Sequence, residues 1–162
     1  MNTKSNKVYV DAVIKSLEMK KELLEDVVKI NGKQQEFLLK PEFDYEGFDA
    51  LMEEKQGILN KIDQLEQVFE SNYERVKEEL ATERDIYANE LGTMQTIIRQ
   101  MTELSIKIRG SETQIKQGVE AAFAKARQKV KQYHVSSRTA SQYYKNMANQ
   151  HMGQSYFLDK KK

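Results

Sequence analysis

Apolar residues recur along this chain in steps of three and four, the repeat that places side chains on one face of an α-helix. The first stripe runs Val10, Val13, Leu17, Leu24, Val27 and Leu38, with Ile14, Leu23, Val28, Ile30 and Phe37 on its flanks. Lys20, Asn31 and Gln34 occupy the intervening slots, so the stripe is imperfect. A face this wide suits a bundle helix better than a two-stranded seam. The pattern predicts a first helix over about Lys7 to Leu39, with a weak point at Asn31-Gly32.

Pro41, the only proline, forbids a helix running smoothly through Lys40. Beyond the turn Pro41-Glu42-Phe43-Asp44, Asp44 is placed to cap a second helix, with Glu46 near its positive end. The second stripe is Phe48, Leu51, Ile58, Ile62, Leu65, Phe69, Val76 and Leu80, interrupted by Lys55 and Asn72. A third begins at Tyr87 and continues through Leu91, Met94, Ile98, Met101, Ile108, Ile115, Val119, Ala122, Ala126, Val130 and Tyr133. At about 1.5 Å per residue that helix would be roughly 70 Å long, and it needs partners along its length. Ala81-Thr82-Glu83-Arg84-Asp85 contains no proline or glycine, so the turn between helices 2 and 3 falls either there or nearer Glu90-Leu91-Gly92. Folding back is expected, because an unbroken helix from Asp44 to Tyr133 would leave most of its apolar face in water. The expectation is an all-α antiparallel bundle of about three long helices with coiled-coil-like packing over 1–133. Helix 2 lies against helix 3, and helix 1 covers the remaining groove. Gly110 and Gly118 are weak points or bends in the third helix.

From Val135 the pattern changes. Ser136-Ser137-Arg138-Thr139-Ala140-Ser141 is small and polar, and Tyr143, Tyr144, Met147, Met152, Tyr156, Phe157 and Leu158 follow without a partner stripe. Residues 134–162 are therefore expected to form a flexible or partly helical C-terminal tail.

The 162 residues suffice for one domain. Mean hydropathy is −0.75, and no apolar run is long enough to span a membrane. The polar start carries no secretory signature, so a cytoplasmic protein is expected. The absence of cysteine removes disulfides, thiolate metal sites and a Cys nucleophile. Net charge is +1, but only by cancellation. Residues 1–41 hold 8 basic and 6 acidic groups, residues 42–90 hold 5 and 15, and residues 91–162 hold 13 and 4. The nets of +2, −10 and +9 suggest that helices 2 and 3 choose each other by charge.

Signals for chemistry are thin. His134 and His151 are the only histidines, with no HExxH and no second His at helical spacing. No P-loop, GxGxxG or GxSxG occurs. The pairs Glu53-Glu54 and Glu78-Glu79 read as a solvated helical face. No catalytic residue, metal site or cofactor is expected, and the protein is read as a non-enzyme. Lys125, Arg127, Lys129, Lys131 and Arg138 spread around more than one helical face without an RNA-reading aromatic motif, so they are read as partners of the acidic block rather than of nucleic acid. Met94 and Met101 fall on the apolar stripe and are read as core. Met147 and Met152 lie off it, beside aromatics, as on surfaces that adapt to a partner helix.

The run Phe48-Asp49-Ala50-Leu51-Met52-Glu53-Glu54-Lys55, then Ile58-Leu59 and Ile62, after a long first helix and an acidic turn, resembles the FlgN family of flagellar type III export chaperones. The ending, from Ser136-Ser137 through Tyr143-Tyr144-Lys145 to Phe157-Leu158-Asp159-Lys160, is similar to tails of clostridial members, and the plan is shared with FliT-type chaperones. The resemblance implies a cytoplasmic chaperone that binds hook–filament junction proteins and keeps them unassembled before export. Its partners would be flagellar hook-associated proteins and the export apparatus. Val135, Ala140, Tyr143, Tyr144 and Met147 would form the partner-binding face. The alternative is a structural or adaptor coiled-coil protein acting through its helical stripes, for which a homodimer is the simplest form.

Overall fold

A computed structural model describes residues 3–129, together with Lys145. Three helices account for almost all of them: α1 (Thr3–Leu38), α2 (Tyr45–Thr82) and α3 (Ala88–Lys129). Among the described residues there is no strand. The expected weak point in α1 is absent, and the helix runs unbroken through Asn31-Gly32. Nothing lies within 4 Å of where a Gly32 side chain would begin, while Asn31 is buried and anchored across the bundle. α1 also starts earlier than its apolar stripe, at Thr3 rather than near Lys7.

Pro41 sits in the loop between α1 and α2, as its missing N–H and fixed φ require. Asp44 then caps α2 from an extended conformation, φ −88° and ψ 95°, and its Oδ1 accepts a hydrogen bond from the Gly47 N–H at 3.0 Å. A side chain at Gly47 would meet that carboxylate and the Phe37 ring within 3 Å, so the cap needs glycine there. Of the two candidate turns between α2 and α3, the first is used. α2 ends at Thr82, the Glu83 N–H bonds back to the Glu79 carbonyl at 2.7 Å, and α3 begins at Ala88.

Cross-helix bonds fix the topology. Asn6 bonds Glu79, Arg75 donates to the Tyr9 hydroxyl and Lys20 pairs with Glu66, so α2 runs antiparallel to α1. Asn31 bonds Ser111 and Gln35 bonds Gln114, so α3 runs parallel to α1. Lys55 pairs with Glu112 across the antiparallel α2 and α3. The result is an up-down-up three-helix bundle. α1 covers more than a leftover groove: its backbone approaches both other helices more closely than they approach each other. Val10, Val13, Ser16 and Val27 on its buried face are short enough to allow that.

Two apolar clusters fill the bundle. The larger joins Val10, Val13, Leu17, Leu24 and Val27 to Leu59, Ile62, Phe69, Val76 and Leu80, and to Tyr87, Met94, Ile97, Met101 and Ile108. The smaller joins Phe48 and Met52 to Ile115, Val119 and Phe123, with Phe37, Leu38, Phe43 and Tyr45 packed around them. It lies at the end of the bundle where the α1–α2 loop crosses the last turns of α3. Met94 and Met101 belong to the core as expected.

Candidate functional site

The end cluster is assembled by the loop. Because Pro41 breaks the helical path, the chain turns over α3 and sets Phe43 and Tyr45 on its C-terminal turns. The Phe43 and Tyr45 rings meet edge to face with centroids 4.7 Å apart, and Tyr45 stacks on Phe123 at 5.8 Å with the planes 6° apart. Phe43 also leans on Phe48 at 5.2 Å. On the opposing wall α3 presents small residues. Gly118 packs directly against Leu38, where an added Cβ would come within 2.6 Å of the Leu38 methyl. Between the two walls lies an open groove of about 370 Å³, lined by Leu38, Lys40, Pro41, Glu42, Phe43 and Tyr45 on one side. Gly118, Ala121, Ala122, Lys125 and Ala126 line the other. Its floor is apolar and aromatic, while the charges of Lys40, Glu42 and Lys125 sit among its lining. That chemistry takes a bulky apolar side chain with a polar border.

Electrostatics elsewhere is structural. Lys20 Nζ donates to Glu66 Oε1 at 2.7 Å with the lysine side chain 3% exposed. Burial pulls the Lys20 pKa from 10.5 down to about 8, against the opposing pull of Glu66. Burial likewise raises the Glu66 carboxyl above its usual value, with Lys20 opposing. Lys55 Nζ donates to Glu112 Oε1 at 2.7 Å, both side chains 2% exposed, and burial lowers the lysine pKa. This second pair runs against the expected charge order, with the lysine on acidic α2 and the glutamate on α3. The block charges also sit differently from the simple expectation. α3 holds seven basic and four acidic residues, and six of the thirteen basic groups of the last block follow Lys129. Charge therefore pairs α2 with α3 less than the segment totals suggested.

Among the described residues, no group of three or more His, Cys, Asp or Glu side chains could hold a metal ion, and no helix is long and apolar enough to cross a membrane. Val135, Ala140, Tyr143, Tyr144 and Met147 lie outside the described residues, as do His134, His151, Met152 and the rest of the expected tail apart from Lys145. The groove is a feature that the stripes alone did not mark. Ala122 and Ala126 lay on the third stripe, but their meaning depends on the loop folding over them. Among the described residues that carry the family resemblance, Phe48, Leu51, Met52, Lys55, Leu59 and Ile62 are buried. They build the scaffold and do not line the groove. Comparison with known protein families, with curated proteins and with solved structures gives no match.

Proposed function

We propose that this protein is a helical chaperone that takes up an apolar segment of a protein partner at the loop end of its bundle. The observation that carries the reading is the groove between the α1–α2 loop and α3, whose wall at Lys125 and Ala126 lies one turn before the end of α3. The chain that continues from there holds Val135, Ala140, Tyr143, Tyr144 and Met147. A groove for one or two bulky side chains suits a partner helix, and the sequence that follows is rich in tyrosine and methionine, residue types that adapt to such a partner. The resemblance to FlgN chaperones supports a narrower version. In it the partners are flagellar hook-associated proteins, held unassembled in the cytoplasm before type III export, and no catalysis takes part. Masking an assembly helix needs only mass action, since a bound partner is withdrawn from polymerisation.

Co-purification with hook-associated proteins tests both levels. The full chain is expected to retain its partner, and a chain ending at Tyr133 is expected to lose it while keeping its helicity by circular dichroism. Unchanged retention by the truncated chain would remove the 134–162 segment from the site. A structural or adaptor role is the second reading, favoured by the exposed Val8, Met19, Val68 and Ile106 along the shaft. Sedimentation equilibrium separates the two: an adaptor working through those exposed residues self-associates at micromolar concentration, and the chaperone stays monomeric.

A further inference from the structure

Between the two apolar clusters, all three helices turn polar at one level. α1 contributes Asn31 and Gln34, α2 contributes Lys55 and α3 contributes Glu112, each no more than 2% exposed. The register brings them together, since Asn31 Nδ2 donates to Ser111 Oγ at 2.9 Å and Lys55 Nζ donates to Glu112 Oε1 at 2.7 Å. The network is incomplete. Both amide atoms of Gln34 and the Asn31 Oδ1 are buried without a hydrogen-bond partner. Ile30 and Leu51, buried beside this level, join neither cluster.

The other deep ion pair provides the control. Lys20 and Glu66 are polar on α1 and α2, but at their level α3 offers Ile97 and Met101. The large cluster runs on past them without a break. Only at the Gln34 level does apolar contact stop across the whole cross-section. A bundle opens most readily where opening restores water to groups that burial penalises, and a partly satisfied polar network is such a place. We infer that this polar level divides the bundle into two cooperative units, so that the loop end carrying the aromatic cluster opens as a unit while the long aliphatic core stays folded.

The opening belongs to the free protein and needs no partner. Its bearing on partner capture, by baring Phe48 and Phe123 beneath the groove, rests on the function proposed above. α2 crosses both units, so one helix supplies the readout. In native-state hydrogen exchange of the full chain, amides of Ala50–Lys55 are expected to exchange about tenfold or more faster than those of Glu70–Arg75. Low denaturant should leave the first set exchanging by its smaller opening. Gln34→Leu removes the unpaired amide, and Lys55→Met with Glu112→Leu replaces the ion pair by apolar groups. Each is expected to narrow the difference by slowing the first set, an effect that fraying at a helix end would not show. Equal exchange in the two sets overturns the division. So does a difference that Gln34→Leu leaves unchanged, and that single variant decides the matter if the double one does not fold. Loss of partner retention with the exchange pattern intact would count against the proposed function and leave the division standing.

Discussion

The two ends of this bundle are built from different materials. The long core is mostly aliphatic, with Phe69 and Tyr87 as its buried aromatics, interlocks three helices over most of their length and hides Val10, Val13, Val27 and Ile108 completely. The loop end is richer in aromatics and has fewer buried residues, and it leaves a groove between the loop and α3. Regular 3–4 spacing with branched aliphatics gives close packing and nothing for a partner to enter. A proline-broken loop crossing a wall of glycine and alanine gives packing that stops short. The same chain thus joins a closely packed core to an end whose packing leaves a groove.

Truncating each core tests that contrast most severely. Ile108→Ala is expected to cost about 2–5 kcal/mol and lower the midpoint of the main urea transition. Phe48→Ala removes about 3–5 kcal/mol of packing from the loop end, and the loss should show as an early, separate change ahead of an almost unmoved main transition. A single transition lowered equally by both would show that the two regions are one unit. Next comes the ion pair at the boundary. Lys55→Ala removes the buried ammonium that faces Glu112 and should cost about 3–5 kcal/mol, while Lys55→Met with Glu112→Leu should be neutral or stabilising.

Glycine sharpens the comparison at a smaller scale. Gly118→Ala forces a methyl against Leu38 and is expected to cost about 1–3 kcal/mol. The pH dependence probes the aliphatic side. Lys20 has a folded pKa of about 8 against 10.5 unfolded, so through that window the unfolded chain holds a proton that the folded chain has released. Stability should therefore rise with pH, on the order of 1 kcal/mol between pH 8 and about 9.5. Denaturant midpoints of Lys20→Met should lose that gain and keep the share from Lys55, whose pKa is lowered in the same direction, opposed at the alkaline end by Tyr87 and Lys77, whose pKa values are raised. The smallest effect is Gly32→Ala, in open space on α1, which should stabilise by about 0.5–1 kcal/mol.

Much of the architecture is legible in residue spacing. Three stripes, the Asp44 cap, the proline loop and one of the two candidate turns all correspond to observed elements. The polar residues that interrupted the stripes were informative in a way the stripes alone did not reveal. Lys20, Asn31, Gln34 and Lys55 looked like imperfections and are buried core positions. Of these, Lys55 has its partner in a gap of the third stripe, Glu112 in the seven-residue step from Ile108 to Ile115, while Lys20 pairs with Glu66 on α2 and Asn31 bonds Ser111. A polar residue at a core slot is read as exposed until its partner on another helix is known, and that is a tertiary fact. Ile97 and Phe123 were passed over for a similar reason, because a wide face lets a neighbouring position take the buried role. The groove required the loop's path across Ala121, Ala122 and Ala126, which spacing along one helix does not encode. The five residues placed on the partner face stand beyond the described chain, so the groove adds to that site without testing it.

If the loop-end groove receives an apolar segment of a protein partner, as proposed, a charge placed in its wall should weaken binding. Isothermal titration of a hook-associated protein into the full chain and into Ala122→Glu tests it directly. The substitution puts a charged side chain into the groove wall, and circular dichroism checks that the helices persist. The account predicts a clear loss of affinity, about tenfold or more, for burying an unpaired charge against an apolar segment. A variant that stays helical and binds as tightly as the unaltered chain would contradict it.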